Sequence, residues 1–179
     1  MTLAVLPPFS LADHRHMKLA RRLALKSRAS EEVPVGAVIV NAAGIVIGRG
    51  YNRVEKKQSQ LCHAELIAIK SALRHMPSWR LEACTIYITL EPCMMCLGAL
   101  LISRIPRIVY GAPSHLFGIS AQHSTLPPVY QAHTLIEQGL QQEECGDILK
   151  HFFSTIRAQK EADREQERRI HQQDERKPA

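Results

Sequence analysis

The sequence has no apolar run that approaches the ~20 residues a helix needs to cross a bilayer. Its first ten residues include no basic side chain, and Pro7 and Pro8 interrupt their apolar stretch, so they are not typical of a secretory signal. There is also no internal repeat and no shift in composition that would mark a second domain. We therefore predict a cytoplasmic protein with one main domain and no membrane partner.

Cysteine is scarce, with 5 residues in a chain of 179. An odd number without a secretory signal argues against a disulfide framework, so we expect reduced thiols. Cys84 and Cys145 lie in apolar or helical contexts and are predicted to have packing roles. Cys93 and Cys96 are three residues apart, a spacing that is typical of metal or redox sites.

The composition is that of a folded domain, with 45% hydrophobic and 22% charged residues. The net charge of +6 is concentrated at the two ends. Residues 1–30 carry six basic side chains and one acidic one, residues 31–149 carry nine and ten, and residues 150–179 carry eight and six. Basic ends favour a polyanionic partner such as RNA, although solvated helix faces would carry the same charges.

Hydrophobic periodicity predicts an α/β fold. Helices are predicted over residues 13–29 and 63–74, over an apolar segment after Pro92, and from residue 141 onward. Strands are predicted over residues 35–40, 45–48, 84–90, 107–111 and 133–138, with a polar loop at 51–60 and a long loop at 112–129. This order suggests a mixed sheet covered by helices on both faces. We place the domain at residues 13–157 and a polar helical extension or tail at residues 158–179.

Two further details of the helices are predicted. Asp13 is expected to cap the first helix, and Pro92 to occupy the first position of the helix that follows it. The apolar sequence of that later helix, from Met94 to Ile102, predicts deep burial.

The chemistry is concentrated in two motifs that each precede a helix. Cys93 and Cys96 at a helix start place both sulfurs on one face, where the helix N-terminus favours thiolates. His63 can supply an imidazole nitrogen as a third ligand. Three ligands of mixed nitrogen and sulfur type suit Zn²⁺ and leave a fourth position for water, which is the arrangement of a catalytic zinc site.

Glu65 lies two residues after His63. Positions two apart on a regular helix do not face the same way, so His63 must lie at the helix boundary if both are to reach one centre. Glu65 would then stand beside the zinc-bound water as general base and acid.

Two other kinds of site can use these residue types. A redox Cys-x-x-Cys site would need no His-x-Glu partner. A closed structural zinc site, with Cys62 as the fourth ligand, would leave Glu65 without a role and would fit a non-enzymatic RNA-binding module.

The sequence resembles the bacterial tRNA-specific adenosine deaminase family. His-Ala-Glu at 63–65 with Pro-Cys-x-x-Cys at 92–96 marks the wider cytidine deaminase-like superfamily, and Leu-Glu-Pro-Cys-Met-Met-Cys-Leu-Gly-Ala at 90–99 is more specific to the tRNA branch. The resemblance continues, with the same order and similar gaps from about residue 13 to residue 157, in the stretches 35–38, 50–53, 103–105 and 109–112.

This resemblance implies a three-layer α/β/α sandwich with a central five-stranded mixed sheet, and a homodimer. It implies one Zn²⁺ per subunit on His63, Cys93 and Cys96, Glu65 as the proton shuttle, and Asn52 as a contact to the target nucleoside. The implied reaction is hydrolytic deamination of adenosine to inosine at the wobble position of a tRNA anticodon loop, with the anticodon stem-loop as partner. The alternative is a small-molecule deaminase acting on guanine, cytosine or a nucleotide, which would use the same zinc chemistry.

Asn52 has a structural alternative, as a polar residue that closes a turn after Gly50. Two loops also depart from the family pattern. Ser114 replaces an acidic residue, and Leu-Phe-Gly-Ile at 116–119 replaces a lysine and small residues. Gln-Ser-Gln-Leu-Cys at 58–62 replaces the common Asp-Pro-Thr-Ala. Both loops are candidates for the border of the substrate path.

Overall fold

The structure, a computed structural model, describes residues 9–119, 129 and 133–175. Its helices are α1 (Leu11–Arg28), α2 (Val54–Lys57), α3 (Ala64–Ala72), α4 (Met94–Ile102) and α5 (Gln142–Glu175). Its strands are β1 (Gly36–Val40), β2 (Val46–Tyr51), β3 (Thr85–Leu90), β4 (Arg107–Ala112) and β5 (Leu135–Gln138). Short 3₁₀ turns, Gln60–Cys62 and Leu73–His75, flank α3.

The strands form one mixed sheet in the order β2–β1–β3–β4–β5. β1 pairs antiparallel with β2 and with β3, whereas β3, β4 and β5 run parallel. A parallel pair needs a crossover connection, and α4 supplies it between β3 and β4. The predicted five-stranded mixed sheet is therefore confirmed.

Helices cover both faces of this sheet. Side chains of a strand alternate between faces, so Ala37 and Ile39 of β1 join a core with α3 and α4. Val38 and Val40 point the other way and join a core with α1 and α5. β1 is consequently buried at every position, as expected of a strand covered on both sides. This arrangement is the predicted mixed sheet covered on both faces, and it confirms the three-layer α/β/α sandwich that the family resemblance implies.

α1 buries the apolar face that its periodicity predicted, but its start differs from the prediction. The N-cap is Ser10, and Asp13 lies three residues inside as the partner in a capping box. Ser10 Oγ accepts a hydrogen bond from Asp13 N at 3.1 Å, and Asp13 Oδ2 accepts one from Ser10 N at 2.8 Å. The prediction of Asp13 as the cap is wrong by three residues, because aspartate and serine are both common N-cap residues.

Asp13 also joins α1 to the sheet. Its Oδ1 accepts hydrogen bonds from Tyr87 Oη of β3 and Arg107 Nη1 of β4, each at 2.6 Å. Arg107 Nε donates to Glu137 Oε2 of β5 at 2.6 Å. Burial acts to raise the pKa of Asp13, but the hydrogen bonds from Arg107, Tyr87 and Ser10 hold it well below its ordinary range.

α4 is less buried than its apolar sequence predicted. One side, which includes Leu97 and Leu100, lies in the core, whereas Met94, Met95 and Ile102 are exposed. Pro92 is also placed differently from the prediction, one residue before the N-cap Cys93 rather than at the first helical position. Hydrophobicity alone could not distinguish core from an exposed apolar face.

Other boundaries shift at their ends. The loop predicted at residues 51–60 contains the short helix α2, and the helix predicted over 63–74 ends at Ala72 before a 3₁₀ turn. Of the long loop predicted at 112–129, residues 120–128 lie outside the described residues.

α5 is 34 residues long and continues through residues 158–175, where the sequence suggested a polar helix or tail. Leu149 and Phe152 near its start are buried, whereas the described side chains from residue 157 onward are exposed. Among the described residues, no helix combines the length and apolar character that a bilayer span requires.

Candidate active site

The two motif-bearing segments meet where α3 and α4 begin. His63 is the N-cap of α3 and Cys93 is the N-cap of α4, and both have extended backbone angles. An N-cap residue lies half outside its helix, so its side chain can leave the helix axis. The predicted position of His63 at the helix boundary is therefore confirmed, and the motifs, 30 residues apart, converge.

The distances between the three candidate ligands suit a metal ion. His63 Nδ1 lies 3.4 Å from Cys96 Sγ and 3.8 Å from Cys93 Sγ, and all three ligand atoms lie within 4.8 Å of one another. Tetrahedral Zn²⁺ with bonds of ~2.3 Å to sulfur and ~2.0 Å to nitrogen separates its ligands by about 3.5–3.8 Å. The donor set and its spacing therefore fit zinc.

Of the three candidate ligands, Cys93 already has the ionisation that metal binding requires, whereas the raised pKa values of Cys96 and His63 mean that both would release a proton when a metal binds. The hydrogen bond from Cys96 lowers the pKa of the Cys93 thiol to about 4, and His63 adds to the effect. The hydrogen bond to Cys93 raises the pKa of His63. A thiolate already forms in the cluster, and thiolate is the form that binds metals.

Glu65, the second residue of α3, is the buried acid of the site. Its side chain is 4% exposed, and this burial raises the pKa of its carboxyl group. The carboxyl group is hydrogen-bonded to the Cys96 thiol, so it lies next to the candidate ligands without being one of them. This is the geometry of an acid–base group beside a metal centre.

Cys62 does not join the cluster. Among the described residues, the group of side chains placed to hold an ion contains His63, Cys93 and Cys96 and leaves Cys62 out. The backbone of Cys62 is held instead, because its carbonyl accepts a hydrogen bond from Arg53 N at 3.0 Å. A closed four-ligand site with Cys62 is not what the geometry supports.

Asn52 lies beside the cluster and is buried. Its Oδ1 accepts a hydrogen bond from Ala64 N at 2.9 Å, so it satisfies a free N–H at the start of α3. The His63 side chain makes no capping bond of its own. Asn52 Nδ2 has no hydrogen-bond partner among the described residues. Asn52 therefore does not close a turn after Gly50, which lies within β2; its oxygen caps α3 instead, and its nitrogen remains available.

The position of α3 is set by two glycines of β2 that pack closely against the helix backbone. A Cβ at Gly50 of β2 would lie 1.9 Å from the Ala64 carbonyl oxygen, and one at Gly48 would lie 2.4 Å from that of Ala68. Only glycine allows the helix backbone this close to the strand. β2 therefore fixes how far the start of α3, and with it His63, stands from the sheet.

Sequence reasoning missed the role of Glu91. This residue is buried between the end of β3 and Cys93, and its Oε2 accepts a hydrogen bond from Ser114 N at 2.8 Å. The same loop makes an isolated antiparallel bridge between Gly118 and Cys93. An acid that follows an apolar strand is a signal that could have marked it, since buried acids need partners.

Comparison with known proteins agrees with this site. Residues 11–112 match the model of the cytidine and deoxycytidylate deaminase zinc-binding region. A tRNA-specific adenosine deaminase of Bacillus subtilis is 40% identical over 157 residues, which cover 85% of this chain and 95% of the relative. One of Haemophilus influenzae is 38% identical, with 85% of this chain and 89% of the relative covered.

Solved structures of deaminases are also similar to this chain. A structure from work on tRNA:A34 deaminases and A-to-I editing at the wobble position is 34% identical with a TM-score of 0.68, and covers 75% of this chain and 99% of that one. A guanine deaminase of Bacillus subtilis is 33% identical with a TM-score of 0.55, over 61% of this chain and 73% of that one. The chain therefore belongs to the zinc-binding cytidine and deoxycytidylate deaminase family, in its tRNA-specific adenosine deaminase branch.

Proposed function

We propose that this protein hydrolyses the 6-amino group of adenosine at the wobble position of a tRNA anticodon loop, giving inosine and ammonia. The observation that carries the proposal is the convergence of His63, Cys93 and Cys96 next to the buried carboxyl group of Glu65. The 40% identity to a tRNA-specific adenosine deaminase over 85% of the chain supports the substrate class.

The metal has a defined place in this mechanism. His63, Cys93 and Cys96 would hold the zinc ion, which when bound would lower the pKa of a water molecule toward ~7. Cys93 and Cys96 provide the negative charge of the ligand set, and His63 provides a neutral nitrogen. The N-termini of α3 and α4 both point to this position, and their positive dipole ends favour the thiolates.

Glu65 moves the proton. Its carboxylate accepts one proton of the attacking water and delivers it to N1 of the purine ring as the hydroxyl group adds to C6. It then accepts the remaining proton of that hydroxyl group and delivers it to the amino group, which leaves as ammonia while the C6–O bond becomes a carbonyl. Burial excludes bulk water from this carboxyl group, so the proton passes between water and substrate through one residue. Ordered backbone at the start of α3 keeps the carboxyl group in place.

Asn52 orients the nucleoside. Its Oδ1 is occupied by Ala64 N, so the amide plane is fixed and Nδ2 is the part available to donate to a base edge or a ribose hydroxyl. One residue thereby links the position of α3 to the position of the substrate.

Basic side chains near Asn52 suit an RNA partner. Ser27 at the end of α1 donates a hydrogen bond to the Asn52 carbonyl at 3.1 Å, so the last turn of α1 and the α2 segment both border the site. The exposed basic side chains of these segments are Lys26, Arg28, Lys56 and Lys57. Phosphate contacts to such residues make binding salt-dependent. A tRNA substrate together with bacterial relatives favours a cytoplasmic location.

The exposed face of α4 suits a second copy of the chain. Met95, Gly98 and Ile102 lie at helical spacing on this face, and a Cβ at Gly98 would meet no atom within 4 Å. A homodimer would cover apolar side chains that face water in the single chain. A small residue at the centre of such a face lets a partner helix approach closely.

The decisive experiment is to incubate the purified zinc-loaded protein with a tRNA pool and to locate inosine by sequencing. We expect inosine at the wobble position of one or a few tRNAs. Glu65→Ala should reduce the rate by at least about 100-fold, because acid–base catalysis contributes ~10²–10⁴-fold, while the zinc content stays at that of the wild type. Full activity in Glu65→Ala would refute the assigned mechanism.

The alternative is a deaminase of a free base or nucleotide. Because the chain is similar to a guanine deaminase, at 33% identity over 61% of the chain, free bases are included as substrates in the assay. Robust ammonia release from free guanine or cytidine, with no inosine formed in tRNA, would establish the alternative. Tight and salt-sensitive tRNA binding with wobble inosine would exclude it.

A further inference from the structure

The loop over residues 114–118 is anchored directly to the candidate metal site. Gly118 forms an antiparallel bridge with Cys93, and Ser114 N donates to Glu91 Oε2 at 2.8 Å. Within the loop, Gly118 N donates to Ser114 O at 3.0 Å, and Phe117 N donates to Ser114 Oγ at 3.4 Å. Both ends of this turn are therefore held next to a proposed zinc ligand.

The anchor leaves little room for the loop to shift. A Cβ at Gly118 would lie 2.2 Å from Glu91 Oε2 and 2.5 Å from the Ser114 carbonyl oxygen. Glycine is thus required for the loop to pack onto Glu91. Bridged residues in antiparallel strands have Cα atoms ~5 Å apart, and consecutive Cα atoms are 3.8 Å apart. The Cα of Phe117 therefore lies within about 9 Å of the Cα of Cys93.

The tip of this fixed turn exposes two apolar side chains. Leu116 is 79% exposed and Phe117 is 67% exposed, and Met94, which directly follows Cys93, is also exposed. An aromatic ring on a rigid support at the mouth of an active site is a ready surface for a flat ligand.

The reaction itself creates such a ligand. An adenosine that enters the site must leave the base stack of the anticodon loop, so the neighbouring base loses a stacking partner. Proteins that bind single-stranded RNA recover this energy by stacking the base on an aromatic side chain. We propose that Phe117 stacks on the nucleobase next to the target adenosine and positions the anticodon loop over the site; this inference rests on the proposed function.

The test uses the full-length zinc-loaded protein and a synthetic anticodon stem-loop RNA with adenosine at the wobble position. 2-Aminopurine replaces the adjacent nucleotide on the 5′ side in one RNA and on the 3′ side in another. Stacking on Phe117 should quench the fluorescence of one of the two probes. The variants are Phe117→Ala, Phe117→Leu, which keeps an apolar side chain but loses the ring, and Phe117→Trp, which keeps a ring.

Phe117→Ala and Phe117→Leu should lose the quenching and weaken RNA binding by roughly 5- to 150-fold, the range measured for loss of one base–aromatic stack. Phe117→Trp should retain both. The single-turnover rate at saturating RNA should change little, since the ring does not touch the reacting atoms. The matched control is Leu11→Ala, an exposed apolar residue at the far end of α1, which should bind as the wild type does.

The outcomes separate the two proposals. Equal RNA binding and quenching in Phe117→Leu and the wild type would overturn the stacking role while inosine formation still supports the reaction. Ring-dependent RNA binding by a protein that forms no inosine would uphold the contact and refute the reaction. A change of oligomeric state in Phe117→Ala, with RNA binding per site unchanged, would assign the ring to a protein interface and overturn the inference.

Discussion

His63 and Cys93 occupy helix N-cap positions, which most helices fill with a short oxygen-bearing side chain that bonds to the backbone. Neither side chain makes such a bond; each turns to the other and to Cys96 instead. For α3 the missing cap is supplied from another part of the chain by Asn52 Oδ1. The arrangement frees both side chains for a metal without leaving the Ala64 N–H unsatisfied.

This double role of Asn52 can be separated by substitution. Asn52→Asp keeps an oxygen for Ala64 N but loses the Nδ2 donor, so we expect zinc content and thermal stability near those of the wild type and kcat/KM reduced roughly tenfold or more. Asn52→Ala loses both groups and should also be destabilised by about 1 kcal/mol. Kinetics on an anticodon stem-loop and thermal unfolding check both variants. Wild-type kcat/KM in Asn52→Asp would show that Nδ2 does not contact the substrate.

The lowered pKa of Asp13 predicts that the stability of the fold depends on pH. Its pKa is held below the ordinary value of ~3.9 by Arg107, Tyr87 and Ser10, against the effect of burial. A carboxylate with a lowered folded-state pKa stabilises the fold above its unfolded pKa, and the contribution is lost as the pH falls through the folded pKa. Asp13→Asn should therefore cost about 2 kcal/mol at pH 7 and progressively less below about pH 4.

Urea unfolding of the wild type and Asp13→Asn between pH 7 and pH 2 measures this difference. The companion variant Asp147→Asn changes an aspartate that makes only an exposed contact with Lys150, so its stability should follow the wild type throughout. A constant difference between Asp13→Asn and the wild type down to pH 2 would contradict the assigned cause.

At the scale of elements, the contact between β2 and α3 decides where the site forms. Gly48 and Gly50 let the α3 backbone lie directly on the strand, so the helix start that carries His63 and Glu65 has one position. The same device operates at Gly36, where a Cβ would lie 2.0 Å from the Ala20 carbonyl oxygen of α1. Two glycine contacts in one outer layer and one in the other thus hold α3 and α1 at a short distance from the sheet.

Gly50→Ala should displace the start of α3, because its Cβ would overlap the Ala64 carbonyl oxygen. We expect a loss of about 2 kcal/mol in stability and a marked loss of zinc affinity, since the His63 side chain moves relative to Cys93 and Cys96. Gly146→Ala is the matched control: its Cβ meets no atom within 4 Å and it lies within α5, so the change should be neutral or stabilising. Zinc titration and chemical denaturation measure both; unchanged zinc affinity in Gly50→Ala would contradict the positional argument.

At the scale of the whole molecule, one side of α4 exposes apolar side chains to solvent in the single chain. α4 carries Ile102 with 64% of its surface exposed, on the same side as Met95 and Gly98. Covering this face in a homodimer would remove apolar surface from water and would bring two candidate metal sites near one interface, since Cys93 is the N-cap of the same helix.

Ile102→Glu should prevent formation of the proposed homodimer, because a charge would have to be buried in an apolar contact. The fold should persist, since the side chain faces solvent in the single chain. Sedimentation velocity, with circular dichroism as the check on folding, measures the outcome. Leu11→Glu makes the same change at another exposed apolar position and should leave the mass unaltered. A wild type that sediments as a monomer would refute the assignment of this face.

Much of the fold and the site could be predicted from the sequence. Period-two and period-3.6 patterns located the strands and α1, because burial on one side imposes these periods on neighbouring residues. The ligand set was predictable for a related reason: metal-binding chemistry depends on residue types at short spacing, as in Cys93 and Cys96. The cap of α1 and the solvent exposure of α4 were predicted wrongly, since Asp13 and Ser10 are both good caps and apolar residues do not show what covers them.

The sequence by itself determined the chemical identity of the site: an imidazole, two thiols and a carboxyl group, each next to a helix start. Only the tertiary structure decided that His63 and Cys93 would meet across 30 residues, that Asn52 would cap a helix it does not belong to, and that Glu91 would hold the loop bearing Phe117 beside the centre. The physical reason is that local patterns record whether a residue is buried or helical. The partner that satisfies a polar group is chosen by how the layers pack.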